Sequence, residues 1–173
     1  MIPTLTDWHN FYSLIGGAAA TLVALMFVAA SIGAGVFKGE RQIGVRSFLS
    51  PTVVHFSAIL VICLLGIVPT ATWLSVGALE ADAGAIGLVY SFLIWHRMIR
   101  HDIIGRIDLA DRLWYLILPT AAYLMVIAAG ISLWQQHQAG LDVLAIALIL
   151  LLLIGIRNAW DMTIWIIDHH PQN

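Results

Sequence analysis

Charge is what this chain has least of. Of its 173 residues, 10% are Asp, Glu, Lys or Arg, against roughly 25% in a soluble domain. With 61% hydrophobic residues and a mean hydropathy of +0.92, that scarcity points to an integral membrane protein. No clustered basic footprint is present, which argues against nucleic acid as a partner. Cysteine is nearly absent too. Cys63 stands alone, so one chain builds neither a disulfide framework nor a cysteine metal cluster, and it reads as a small apolar residue inside the membrane. The start, Met1-Ile-Pro-Thr-Leu-Thr-Asp7, lacks the basic segment of a cleavable signal peptide, so the first helix is expected to be retained. HExxH, GxSxG and a Gly-rich phosphate loop are missing, and each is the signature of a particular chemistry. Asp161 has no second deep aspartate with which to form an intramembrane protease pair. His169-His170 beside Asp168 lack a third placed ligand for a metal. The expectation is a protein that is not an enzyme and holds no metal.

What is present is a succession of apolar runs, and about 20 such residues cross a bilayer as a helix. The expected fold is an all-α polytopic transmembrane helix bundle, a single domain over 1–173. Its five spans are placed at 11–37, 51–79, 83–100, 113–134 and 143–167. Trp8, Phe11 and Tyr12 suit an aromatic belt at the first interface, as Trp114, Tyr115 and Trp134 do around the fourth span. Ser50-Pro51 reads as a helix start, with serine as N-cap and proline where its missing N–H is harmless. Pro69-Thr70 and Pro119-Thr120 mark kinks inside the second and fourth spans, with Thr70 and Thr72 placed to satisfy freed carbonyls. Glu80 and Asp82 then form a short acidic turn. Arg97 and Arg100 extend the brief third span by snorkelling to the interface. From Arg97 to Arg112 a polar hairpin carries Ile99, Ile103 and Ile104 on an apolar side suited to the membrane surface. Asp108 and Asp111 fit the start of the next helix, where the dipole favours anions. Ile117-Leu-Pro-Thr-Ala-Ala-Tyr-Leu124 echoes Ile67-Val-Pro-Thr-Ala-Thr-Trp-Leu74. The echo reads either as a duplicated helical hairpin or as two independent Pro-Thr kinks.

The first span is dense in small residues. Gly16, Ala20 and Ala24 make one small-xxx-small ladder, and Ala30 with Ala34 and Ser31 with Gly35 make others. Such ladders let helix backbones approach closely, the main source of packing in lipid. Two readings follow: tight packing within one protomer, or a homo-oligomer interface. Asp7-Trp-His-Asn-Phe-Tyr12, Gly16-x-Ala-Ala-Ala-Thr-Leu22 and Leu25-x-Phe-Val-Ala-Ala-Ser31 together resemble the opening of a family of small bacterial multi-pass membrane proteins. Some of its members are labelled modulators of a membrane-bound ATP-dependent protease. The resemblance covers about the first fifth of the chain. It implies a helix bundle in the bacterial cytoplasmic (inner) membrane and carries over no catalytic residues.

Lysine and arginine set the sidedness. Lys38, Arg41 and Arg46 fall in the first loop, and Arg97, Arg100, Arg106 and Arg112 in the third. By the positive-inside rule those loops are cytoplasmic, with the N-terminus outside and the C-terminus inside. The outer face then carries only acids: Asp7, Glu80, Asp82 and Asp142. They read either as a ring that draws cations to a pore mouth or as what remains when basic residues are depleted there.

The fifth span continues from an apolar run into Arg157-Asn158-Ala-Trp-Asp161. Arg157 and Asp161, four apart, share a helix face. Counting about 1.5 Å per residue from Asp142 puts Arg157 about 22 Å in, within the inner leaflet and level with His55 and His96. A polar layer of His55, His96, Arg157, Asn158 and Asp161 is therefore expected. It serves either as a gate, a proton-sensitive switch or an anion site, or as an anchor in which Arg157 snorkels to lipid phosphate. No cofactor is required, although two facing imidazoles would hold a haem, and His55 with His96 are the pair that would do it. The leading expectation is a homo-oligomer that forms or gates a small ion pore, cation-selective by its outer acids. The alternatives are a scaffold that modulates a larger membrane complex, and a haem-binding electron carrier.

Overall fold

The computed structural model describes residues 5–36, 40–100 and 109–168, with side chains described over 7–31, 51–100, 109–161 and 163–164. Five long helices account for nearly all of them: α1 (His9–Val36), α2 (Glu40–Ile67), α3 (Trp73–Arg100), α4 (Leu109–Trp134) and α5 (Ala139–Asp168). Four, α1, α3, α4 and α5, carry segments long and apolar enough to cross a membrane, and α2 contributes a shorter apolar stretch, Pro51–Ile67. The outward faces confirm the solvent this bundle is built for. Leu14, Phe27, Ile86, Val89 and Phe92 are all more than half exposed, a density of surface apolar side chains that a water-soluble monomer rarely tolerates.

Each helix buries one stripe. On α2 it is Thr52, His55, Phe56, Ile59, Ile62, Cys63 and Gly66; on α5 it runs from Leu141 through Leu144, Leu148 and Leu151 to Asn158. Steps of three and four put these residues on one face. The most extensive packing is α3 on α4, followed by α1 on α2 and α4 on α5, while α2 also meets α5 and, less broadly, α3. Helix α2 is thus the element that touches α1, α3 and α5.

The α3–α4 seam is the closest approach in the bundle. A Cβ on Gly77 would lie 2.4 Å from the backbone nitrogen of Trp134, and one on Gly130 would lie 2.5 Å from that of Ala81. Glycine is required here because backbone meets backbone. The close packing expected of the first span therefore belongs chiefly to α3 and α4. On α1, Gly16 does pack inside the protomer, against Cys63, but Ala20 and Ala24 are exposed and Ala30 is half-buried. The side chain of Ala34 lies outside the described residues.

The second and third helices differ most from the expected spans, and α3 begins at Trp73 rather than 83. Ser50-Pro51 does not start a helix: Pro51 lies inside α2, which begins at Glu40. The second span stops at Ile67 rather than 79, and Pro69 sits in the turn before α3 instead of kinking a helix. There Ala71 N donates to Val68 O at 3.0 Å, and Thr72 caps α3 by exchanging hydrogen bonds with Ser75 at 2.9 and 3.2 Å. An uncharged turn of Val, Pro, Thr and Ala is invisible to a count of charges, so the run looked continuous. Pro119 does lie within a helix. Its missing N–H is accommodated by a π-helical turn over Leu113–Ile117, where Leu118 N reaches back to Leu113 O, and Thr120 Oγ1 donates to Leu116 O at 2.7 Å. Such turns are an established cause of helix bending. The two Pro-Thr segments thus occupy unlike settings. Helix α4 ends in a Schellman turn: Gln136 N donates to Leu133 O and His137 N to Ser132 O, with Gln136 at φ 63°, the arrangement usual at a helix C-terminus. Lys38, Ile103, Ile104, Arg106, Asp108 and the His169-His170 pair lie outside the described residues.

Candidate functional site

Because α3 begins at Trp73, Glu80 enters two turns into a helix and not at a loop. It falls on the inward stripe of α3 with Val76, Gly77, Gly84, Gly87 and Ser91. Its side chain is 0% exposed, and neither carboxylate oxygen has a hydrogen-bond partner among the described residues. The outer acidic ring thereby loses one of its four members. Asp82, two positions on and so on the opposite side of α3, is exposed, as are Asp7 and Asp142.

Two other polar groups share Glu80's layer. The carboxyl lies within electrostatic reach of Tyr12 and Cys63. Tyr12 lays its ring over Gly66, and Cys63 abuts Gly16, so α1 and α2 are locked together where they present phenol and thiol. The Tyr12 hydroxyl is also buried without a hydrogen-bond partner among the described residues. An unpaired hydroxyl or amide in an apolar interior costs about 1–3 kcal/mol on mutational scales, and a carboxyl still more if charged. A fold that keeps such groups at one level is carrying a cost for them.

A second layer lies two turns further along α3, about 10 Å away at 1.5 Å per residue. His55 Nδ1 and the Tyr123 hydroxyl are 2.9 Å apart, both buried, the donor being set by the imidazole tautomer. Gly87 leaves the room that the Tyr123 ring fills. Ser91 Oγ donates to Gly87 O at 3.0 Å. Asn158 is buried, and its side-chain nitrogen and oxygen have no partner among the described residues. It stands one turn beyond Gly155, whose missing side chain admits the ring of Phe56. Between the layers are Ile59 and Val126, both fully buried, the latter against Gly84. The bundle interior therefore reads polar, apolar, polar along its length.

Of the expected inner polar layer, His55 and Asn158 face inward and the other three residues do not. The His96 side chain is exposed and stacks on Phe92, with ring centroids 6.4 Å apart at 17°. Arg157 Nε donates to both carboxylate oxygens of Asp161 at 2.9 Å, with the two side chains 43% and 26% exposed. The guanidinium lies 5.6 Å from the Trp114 ring centroid. The pairing follows from the spacing of four, but the pair decorates the outside of the bundle. A double-mutant cycle of Arg157→Ala and Asp161→Ala, read by thermal melts in detergent, should give a coupling of about 0.3–0.5 kcal/mol, the size of an exposed helical ion pair. Strict additivity would show the two uncoupled. Haem does not fit the His55/His96 pair: His55 is closed in and bonded to Tyr123, while His96 faces the outer surface.

Charge counting missed Glu80 as a buried group because it assigned the residue to a loop. The spacing of Gly77, Glu80, Ala81, Gly84, Gly87 and Ser91 is the signal that would have found it, a small-residue face with one acid in its midst. The chain matches no family model, no curated protein and no solved structure. What the arrangement offers is a carboxylate able to bind a cation or a proton inside a membrane bundle, in line with two further polar stations.

Proposed function

We propose that this protein forms or gates a small cation pathway across the bacterial inner membrane, and that the pathway runs through the helix bundle with Glu80 as its cation-binding group. The observation that carries this is the fully buried carboxyl whose two oxygens have no hydrogen-bond partner among the described residues. An ionisable side chain inside a membrane bundle is costly, and where it is kept it typically marks an ion or proton route. In this reading α2 crosses the membrane as well, making five spans, and the distribution of lysine and arginine supports an orientation in which α1 enters from outside and α5 ends inside. Cations reach Glu80 from the outer face, where Asp7, Asp82 and Asp142 raise their local concentration. They pass the apolar level of Ile59 and Val126, and leave past His55–Tyr123 and Asn158. No bond is made or broken, so the protein is not an enzyme.

The protomers assemble through α1. Gly17, Ala20, Thr21 and Ala24 form an exposed strip of small residues on the side away from α2, and a Cβ on Gly17 would meet nothing within 4 Å. Gly17→Leu should convert an oligomer into a monomer in mild detergent without lowering the melting temperature of the protomer, checked by light scattering on the purified protein.

The same strip supports the second reading, an accessory protein that presents α1 to a larger membrane complex. Reconstitution separates the two. Protein in liposomes should pass small cations and exclude anions under an imposed gradient. Absence of flux at every pH and voltage, together with one stoichiometric co-purifying partner, would replace the pathway with the accessory role.

A further inference from the structure

A cleft of about 400 Å³ opens on the outer surface between α3 and α4, lined by Leu88, Phe92, Trp95, His96, Ile99 and Thr120. We propose that it is a binding site for an anionic phospholipid, with an acyl chain in the cleft and the phosphate held by Arg100. The assignment is independent of the Glu80 pathway and needs only that the bundle sits in a bilayer.

The dimensions suit one lipid leaflet. From Leu88 to Ile99 is eleven helical steps, about 16 Å at 1.5 Å each, and half of a hydrocarbon core is about 15 Å. The walls are built. Trp95 Nε1 donates to Thr120 Oγ1 at 3.3 Å, fixing the indole to α4 at the floor, and Phe92 with His96 forms a stacked rim. Phe92 and Ile99 are 68% and 60% exposed, so the cleft is open sideways, toward lipid.

The polar end is what selects the ligand. Arg97 and Arg100 occupy the last turn of α3, both exposed, and neither makes an ion pair among the described residues. Arg100 follows His96 by four residues and so continues the rim of the cleft. Arg97 turns to the flank of Tyr90, on which it acts electrostatically. A guanidinium matches a phosphate with paired N–H donors, and basic residues at the membrane surface favour anionic lipids. An apolar slot one leaflet long that ends at an exposed arginine fits a phospholipid with net negative charge better than a zwitterionic one.

Fluorescence quenching by brominated lipids tests this. The Trp95 contribution is the difference between the wild type and Trp95→Phe, reconstituted in vesicles containing either brominated phosphatidylglycerol or brominated phosphatidylcholine at equal mole fraction. Quenching should be several-fold stronger with the anionic lipid, and Arg100→Gln should make the two lipids equal. Equal quenching in the wild type overturns the proposal, as does a preference that survives Arg100→Gln. Quenching by neither lipid would mean that protein covers the cleft and overturns it as well. Native mass spectrometry of the unmutated protein needs no variant to fold: retained phosphatidylglycerol over phosphatidylcholine is expected, and equal retention refutes the site.

Discussion

Glu80→Leu should make the folded bundle more stable, by about 1–3 kcal/mol, the range associated with a buried polar group left without a partner. The carboxyl is fully buried near Tyr12 of α1 and Cys63 of α2, and neither oxygen has a hydrogen-bond partner among the described residues, so an apolar side chain of similar bulk removes a cost and leaves no new orphan beyond the Tyr12 hydroxyl already there. Most substitutions in a core destabilise, which makes a rise diagnostic. The midpoint of reversible unfolding in mixed detergent reads it directly. A fall of similar size would mean that Glu80 satisfies a structural partner, and its claim to a transport role would lapse. Residues that reduce stability and are retained nonetheless are expected where function demands them.

The second large effect is in the opposite direction. Gly77→Ala should cost about 3 kcal/mol, at the upper end of what overpacking does in a well-packed core, and Gly77→Leu should prevent folding. The new Cβ meets the backbone nitrogen of Trp134 at 2.4 Å and the Gly130 carbonyl at 2.6 Å. Backbone cannot rotate out of the way as a flexible side chain does, so α3 and α4 would have to separate along their whole seam. Gly17→Ala is the matched control. Nothing lies near its Cβ, and exchanging glycine for alanine within a helix favours the helix by up to about 1 kcal/mol. Melting temperatures of the two variants should therefore move apart.

The helical class, the apolar runs and the Arg157–Asp161 pairing were legible because each depends on local spacing or composition alone. Two features were not. The Pro69 turn was hidden because a membrane helix and an uncharged turn share the same composition, and only the Thr72–Ser75 cap distinguishes them. That single error moved Glu80 from the core to a loop and counted it with the exposed acids Asp7, Asp82 and Asp142. The split of the inner polar layer was hidden for a different reason. Depth can be counted along a helix, and it put His55, His96, Arg157 and Asn158 level with one another. Azimuth depends on which neighbour a helix packs against. Arg157 and Asn158 are adjacent in sequence and about 100° apart around α5, and α2 meets only the asparagine side of it. The α1 ladder shows the same limit: Gly16 and Ala20 share a face by spacing, yet Gly16 is buried against Cys63 of α2 and Ala20 is left exposed.

Cation flux through liposomes holding equal amounts of wild-type and Glu80→Gln protein tests the central assignment most directly, because glutamine keeps the shape of the side chain and removes its charge. The wild type should conduct, Glu80→Gln should conduct at least about tenfold less, corresponding to about 1.4 kcal/mol of lost interaction with the ion, and Glu80→Asp should recover part of the difference. Equal flux through the wild type and Glu80→Gln, with both proteins folded, would contradict the account.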